Sequence, residues 1–197
     1  EADKHPGVVF GMMFNQRTNC LYRKLRELVK SGKFGNIRRI NWIITDWYRP
    51  KFYYDSGNWR ATWAGEGGGV LLNQCPHQLD LWQWICGMPK KVYARLHYGK
   101  WHDIEVEDDV TAYMEYENGA TGVFITSTGD AHGTNRLEIQ MDKAKLVVEN
   151  GKLIQKGSYL AESIDAVERA TFINDKVYIF NSGFSGITSF DMKTSQF

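Results

Sequence analysis

The chain has 197 residues and carries 24 Lys and Arg against 23 Asp and Glu, a formal net charge of +1. That balance offers no basic excess for nucleic acid, and 43% hydrophobic with 24% charged residues is the make-up of a folded soluble protein. No apolar run reaches the roughly 18 residues of a membrane span, so neither nucleic acid nor membrane is an expected partner.

The cysteines Cys20, Cys75 and Cys86 are odd in number and far apart. They make no disulfide framework and point to a reducing, cytoplasmic location. Glu1 is not a methionine, which leads us to expect a longer parent protein.

In chain order, the apolar run at residues 8–14 reads as a buried strand opened by Pro6-Gly7. Leu21, Tyr22, Leu25, Leu28 and Val29 then recur at helical spacing, with Thr18 or Asn19 as cap and Gly32 past the end. The basic positions among them, in residues 21–26, form the solvated face of that helix. Ile40, Trp42 and Ile44 alternate as in a strand.

Residues 46–69 make a long segment rich in aromatics and glycine, a length that in a compact domain favours a functional loop. A helix over about residues 70–86 follows, ended by Gly87 and Pro89. Pro76 fits the first turn, which would start the helix near Cys75; a start near Gly69 would put a kink at the proline.

Beyond Pro89 the pattern turns to strands. Val92, Ala94, Leu96 and Tyr98 alternate, as do Val110, Ala112, Met114 and Tyr116. Asn118-Gly119 predicts a hairpin turn into residues 120–127 with both turn residues at positive φ. Further strands are expected around Leu137–Met141, Leu146–Val148 and, across Asn150-Gly151, residues 153–155. Residues 171–180 would add a strand or hairpin around Asn174-Asp175. Hairpin-joined strands with early helices define an α+β fold: an open-faced, mostly antiparallel β-sheet with a few helices on one face. The uncovered face would favour association with another subunit.

The stretch from Asn58 to Asp80 holds the most chemistry. On one helix, Asn73 and His77 would be four apart and His77 and Asp80 three apart, all on one face. A carboxylate near an imidazole fixes its tautomer and favours its charged form, which suits general acid/base work. The same spacing fits a hydrogen-bonded histidine of the core. The glycine cluster at residues 65–69 fails as a dinucleotide fingerprint, because position 70 is Val and no strand precedes it; it better serves a close backbone approach.

No second ligand pair accompanies Cys75 and His77, so no metal is expected, and His5, His97, His102 and His132 read as surface residues. Trp42, Trp47, Trp59 and Trp63, with Tyr48, Tyr53 and Tyr54, suit either sugar C–H faces or a core. Arg60 beside Trp59 can fork to hydroxyls or a phosphate.

This segment resembles the substrate domain of the glucose–fructose oxidoreductase / inositol dehydrogenase (Gfo/Idh/MocA) family. The likeness rests on Trp59-Arg60, Gly67-Gly68-Gly69, Asn73, His77 and Asp80, with Asn15-Gln16-Arg17 and residues 31–37 upstream, and it covers about residues 7–150. The resemblance implies one C-terminal substrate and oligomerisation domain, residues 1–197, of an oxidoreductase that uses NAD or NADP on a sugar or polyol. It implies a separate Rossmann domain and a homo-oligomer built through the open sheet face.

His77 would move the substrate hydroxyl proton, with Asn73 and Asp80 beside it and Arg60, Trp59 and Arg17 binding substrate; the cofactor-binding residues stay unknown. The family's usual Asp is Asn73 here, and its Glu-Lys-Pro motif and glycine fingerprint are not among these residues. The chain by itself is therefore expected to hold no dinucleotide and to turn nothing over. Two other readings accompany this one: a non-catalytic sugar-binding or assembly module, and NAD-dependent glycoside cleavage.

Overall fold

The structure is a computed structural model, and it describes residues 2–149, 152–156, 167–173, 176–181 and 187–191. Its first long element, α1 (Cys20–Lys30), starts where expected. The Asn19 side chain accepts the Leu21 N–H at 3.0 Å, answering one of the donors a helix leaves open at its start. Leu25 and Val29 of α1 are buried, and Gly32 just beyond it takes φ +71°.

The strand β1 (Ile37–Ile44) lies at the middle of a seven-stranded sheet. The other members are β2 (Lys91–Tyr98), β3 (Glu107–Glu115), β4 (Thr121–Ser127), β5 (Asn135–Met141), β6 (Lys145–Glu149) and β7 (Lys152–Lys156), in the order β2-β3-β4-β1-β5-β6-β7. Every pairing is antiparallel except β1 with β4. A parallel pair needs a long crossover, and the chain between β1 and β4 supplies one. It carries α2 (Lys51–Asp55), α3 (Val70–Asn73) and α4 (Pro76–Cys86), so the loop-rich segment sits at one end of the sheet by topological necessity. A second sheet holds β8 (Val167–Ile173), β9 (Lys176–Asn181) and β10 (Ile187–Asp191). The fold is α+β with an open sheet face, as the sequence indicates.

The core lies on one face of the large sheet. Ile40, Trp42, Ile44, Met114, Phe124, Leu137, Ile139 and Leu146 pack against Leu25 and Val29 of α1 and Leu81, Trp82 and Ile85 of α4. Trp42 stacks on Trp82 with centroids 6.5 Å apart, and Trp82 donates to the Tyr116 hydroxyl at 2.6 Å. Arg26 ties the two helices, donating to the Trp84 carbonyl at 3.1 Å with its guanidinium 4.8 Å over the Trp84 ring. The basic run of α1 is thus partly structural.

Three expectations need correction. Residues 8–14 form no strand, and Val9 and Met13 are 98% and 83% exposed. An apolar run reveals a demand for cover but not which surface supplies it, and no described strand of this chain pairs with it. The helix over residues 70–86 is two helices, because Pro76 lacks an N–H and begins a new helix at its first position. The hairpin between β3 and β4 has a three-residue loop, with Gly119 N–H on the Tyr116 carbonyl and Tyr116 N–H on the Ala120 carbonyl, both at 3.0 Å. Only Gly119 takes positive φ there, at +81°. This is a type I turn closed by a left-handed glycine rather than a two-residue mirror turn. The Asn150-Gly151 and Asn174-Asp175 turns lie outside the described residues; the strands they join, β6 with β7 and β8 with β9, pair antiparallel.

Candidate active site

The glycines at the entrance to α3 explain its position. A Cβ on Gly69 would sit 1.9 Å from the Glu107 carbonyl oxygen, so only glycine lets this turn lie on β3. Glu107 is buried, and its carboxylate accepts the N–H of Gly69 at 2.9 Å and of Leu71 at 3.1 Å. A negative side chain against the first turn also favours the helix dipole. The glycine run therefore serves helix–strand contact, as its failure as a phosphate loop suggests.

Asn73 closes α3 and His77 is the second residue of α4, so their four-residue spacing crosses a helix break. Asn73 is exposed and accepts the Gln74 side-chain N–H at 2.9 Å. His77 is half-buried, its ring 6.1 Å from Phe14 in an edge-to-face arrangement. Its Nδ1 is buried with no hydrogen-bond partner.

Asp80 does not serve the imidazole. Its carboxylate is forked by Arg17, from Nε at 2.8 Å and Nη2 at 2.5 Å. Arg17 belongs to the single turn Asn15–Thr18, and the hydrogen bond with Asp80 raises its pKa further above an already high value. The Arg17 guanidinium also lies 5.6 Å from the Phe14 ring. A two-pronged arginine suits a buried carboxylate because both its donors fit the acceptor geometry. The pair pins the segment before α1 to α4 beside His77.

Trp59 and Arg60 sit in the crossover. Trp59 is 50% exposed, and Arg60 lies 4.4 Å over its ring and 4.5 Å over that of Tyr53. The next residue, Ala61, takes φ +52° while buried, a conformation alanine rarely adopts. Its N–H is held by the Glu66 carboxylate at 2.7 Å. The aromatic cluster divides accordingly: Trp42 belongs to the core, Trp59 and Trp63 face outward, and Tyr53 and Tyr54 meet edge to face at 5.2 Å.

Sequence reasoning passed over two members of this cluster, Arg49 and Gln74. Gln74 accepts from Arg49 at 2.6 Å and donates to the Tyr53 hydroxyl at 3.2 Å, which also takes Arg60 at 3.0 Å. Neither residue stands in a recognisable motif, so only the crossover's folding brings them to Arg60. Beneath them Tyr53, Glu66, Asn73, Gln74, Glu107 and Thr128 line a cavity of about 10 Å³. That is room for a single water.

One histidine, His102, differs from its surface reading, with a side chain 11% exposed, while that of His97 is 41% exposed. The carboxylate of fully buried Asp108 accepts the backbone N–H groups of Lys100, Trp101 and His102, and the His102 ring lies 3.3 Å from it. His97 faces Asp109 at 3.0 Å. Cys75 is buried against Thr126, and burial pushes its thiol up to about 12, which makes it a packing residue rather than a nucleophile.

The model of the GFO/IDH/MocA C-terminal domain family matches residues 22–147. The chain belongs to this family. It is 24% identical over 158 residues to myo-inositol 2-dehydrogenase of Thermotoga maritima, covering 76% of this chain and 44% of that protein. It is 30% identical over 104 residues to the putative oxidoreductase YteT of Bacillus subtilis, covering 48% and 23%.

Among solved structures, the WlbA dehydrogenase of Bordetella pertussis in complex with NADH and UDP-GlcNAcA superimposes with a TM-score of 0.73 at 26% identity. That match covers 80% of this chain and 50% of WlbA. The chain thus spans half or less of the length of these relatives.

Proposed function

We propose that this chain is the substrate-binding domain of an NAD(P)-dependent oxidoreductase acting on a sugar or polyol, with His77 as its acid/base. The observation that carries the reading is the buried, unpartnered Nδ1 of His77. A histidine kept for packing has its buried nitrogens satisfied; an orphaned one fits a place where a ligand or a second domain completes the shell. The kinship with dehydrogenases supports the same conclusion.

Nicotinamide, held by a Rossmann domain of the same protein, supplies hydride transfer; no residue of this chain is assigned to hold it. His77 takes the proton of the substrate hydroxyl as the carbinol becomes a carbonyl, and returns it in reduction. Asn73 offers amide N–H donors to a substrate oxygen but no charge. Asp80 and Arg17 act on each other, holding Phe14 and the first turn of α4 in place around the imidazole. Trp59 and Arg60 form the mouth, one giving an apolar face to sugar C–H groups and the other donors to oxygen.

We assign two partners besides the substrate. The exposed apolar residues 8–13 suit cover by the Rossmann domain, and the open sheet face suits a second copy of the chain. The three cysteines, all free, agree with a cytoplasmic protein. Among the described residues no helix is long and apolar enough to cross a membrane.

The test is His77→Ala in the full-length protein, with nicotinamide absorbance followed across a panel of sugars and polyols. Turnover should fall by about 10²- to 10⁴-fold, the usual worth of a positioned acid/base, with the circular dichroism spectrum unchanged. Near-normal turnover would return His77 to packing.

A further inference from the structure

We propose that Arg49 and Arg60 together form a subsite for an anionic group, so that the substrate is an acidic sugar, a uronate or a sugar phosphate, rather than a neutral polyol. The inference deepens the sugar-oxidoreductase reading, and it rests on that reading for where the substrate lies.

The case begins with charge. Arg17 and Arg136 are both matched by carboxylates, Arg17 by Asp80 and Arg136 by Glu138 and Glu149. Arg49 and Arg60 are half-buried too, yet among the described residues neither has a carboxylate within ion-pairing distance. Every side-chain or carbonyl acceptor that meets them is neutral: Tyr48 and Gln74 for Arg49, Tyr53 for Arg60. The Nε of Arg49 is buried with no partner at all. A guanidinium has five N–H donors; Arg49 uses two and Arg60 one. Removing cationic donors from water without a counter-charge is unfavourable unless something supplies the acceptors.

Geometry makes the two cations one unit. Tyr53 accepts from Arg60 and from Gln74, and Gln74 accepts from Arg49. Both guanidiniums also lie over the Tyr53 ring, at 5.0 Å for Arg49 and 4.5 Å for Arg60. The contact with the ring face uses up none of their N–H donors, which remain for an oxyanion. Gln74 is hydrogen-bonded to Asn73, which sets the pair next to the proposed reaction centre. Glu66 and Glu107 both line the cavity below, but the Oε2 of Glu66 is held by Ala61 N–H and the carboxylate of Glu107 by Gly69 and Leu71 N–H, and neither acid is ion-paired with the two guanidiniums. Among the described residues Arg26 is the other half-buried arginine without an acid, and it lies in the helix layer with its Nε on the Trp84 carbonyl.

The experiment uses the full-length protein with its nicotinamide cofactor. Glucuronate and glucose 6-phosphate are compared with glucose, and galacturonate with galactose, by turnover and by calorimetry. An acidic member should bind at least about tenfold tighter than its neutral counterpart. Arg49→Gln and Arg60→Gln should raise its KM by about 10- to 100-fold with little effect on kcat, and the loss should be at least tenfold larger than for the neutral sugar. Arg60→Lys should recover part of it. Preference for uronate or for hexose phosphate tells which anion the site takes.

Equal losses for acidic and neutral sugars, or tighter binding of the neutral ones, would overturn the proposal. Neutral sugars oxidised in a His77-dependent way while acids are ignored would sink this inference and leave the oxidoreductase reading standing. Arginine-dependent binding of uronate without any turnover would do the reverse.

Discussion

At the scale of single residues, carboxylates do the positioning in this chain. Asp142 is the clearest case. Its Oδ2 accepts the Asn36 N–H at 2.7 Å and its Oδ1 meets the Arg38 Nε. The Asn36 amide first, and Arg38 after it, lower its pKa below the ordinary carboxylate value. A carboxylate depressed in the folded state stabilises above its unfolded pKa, and that stabilisation is lost as pH falls through the folded one. Asp142→Asn should therefore lower the urea midpoint at neutral pH, with the gap to wild type closing below about pH 4. Denaturation curves at neutral pH and near pH 3 check this; a gap that persists at the lower pH would assign the loss to packing. Asp80 shows the same habit nearer the site, since Arg17 and not His77 claims it.

At the scale of elements, the close contact of α3 with β3 sets the site. Glu107 and Gly69 are its two halves, one giving acceptors and the other the absence of a side chain. Gly69→Ala forces a methyl onto a backbone carbonyl that has no rotamer to escape with. It should destabilise by about 1–3 kcal/mol, the usual range for overpacking, measured by urea denaturation. Because Asn73 and Gln74 hang from α3, the same change should weaken substrate binding. Full stability in this variant would mean that the turn is free to move away from β3. The break at Pro76 lets α3 contact β3 while α4 packs into the core.

At the scale of the whole molecule, the sheet has two unlike faces. The face without helices carries the cross-strand row Tyr93, Tyr113, Val123, Asn41 and Glu138, and beside it Thr111, Ile125, Ile43 and Arg136. Tyr93 and Tyr113 are 54% and 40% exposed with rings 6.3 Å apart. The ion pairs of Arg136 with Glu138 and Glu149 and of Lys145 with Glu138 continue this surface. Aromatic and branched side chains flanked by matched charges suit an interface between copies. Tyr113→Glu in the full-length protein should shift sedimentation toward a smaller species, and an unchanged sedimentation profile would remove this face from the interface.

By itself the sequence determined the first helix, the strands β1 to β7, the α+β class and the open face; it did not show α2, the division of residues 70–86 into two helices, or β10. The features it determined follow from local periodicity, caps and turn residues, which act over a few positions and so are visible in any window of the chain. What only the tertiary structure decided is who meets whom. The parallel pairing of β1 with β4, the capture of Asp80 by Arg17 and the joining of Arg49 to Arg60 through Gln74 all link residues brought together by the crossover. The apolar run at residues 8–14 marks the same boundary: hydrophobicity states that a surface wants cover, while the partner that covers it is set by the arrangement of the whole.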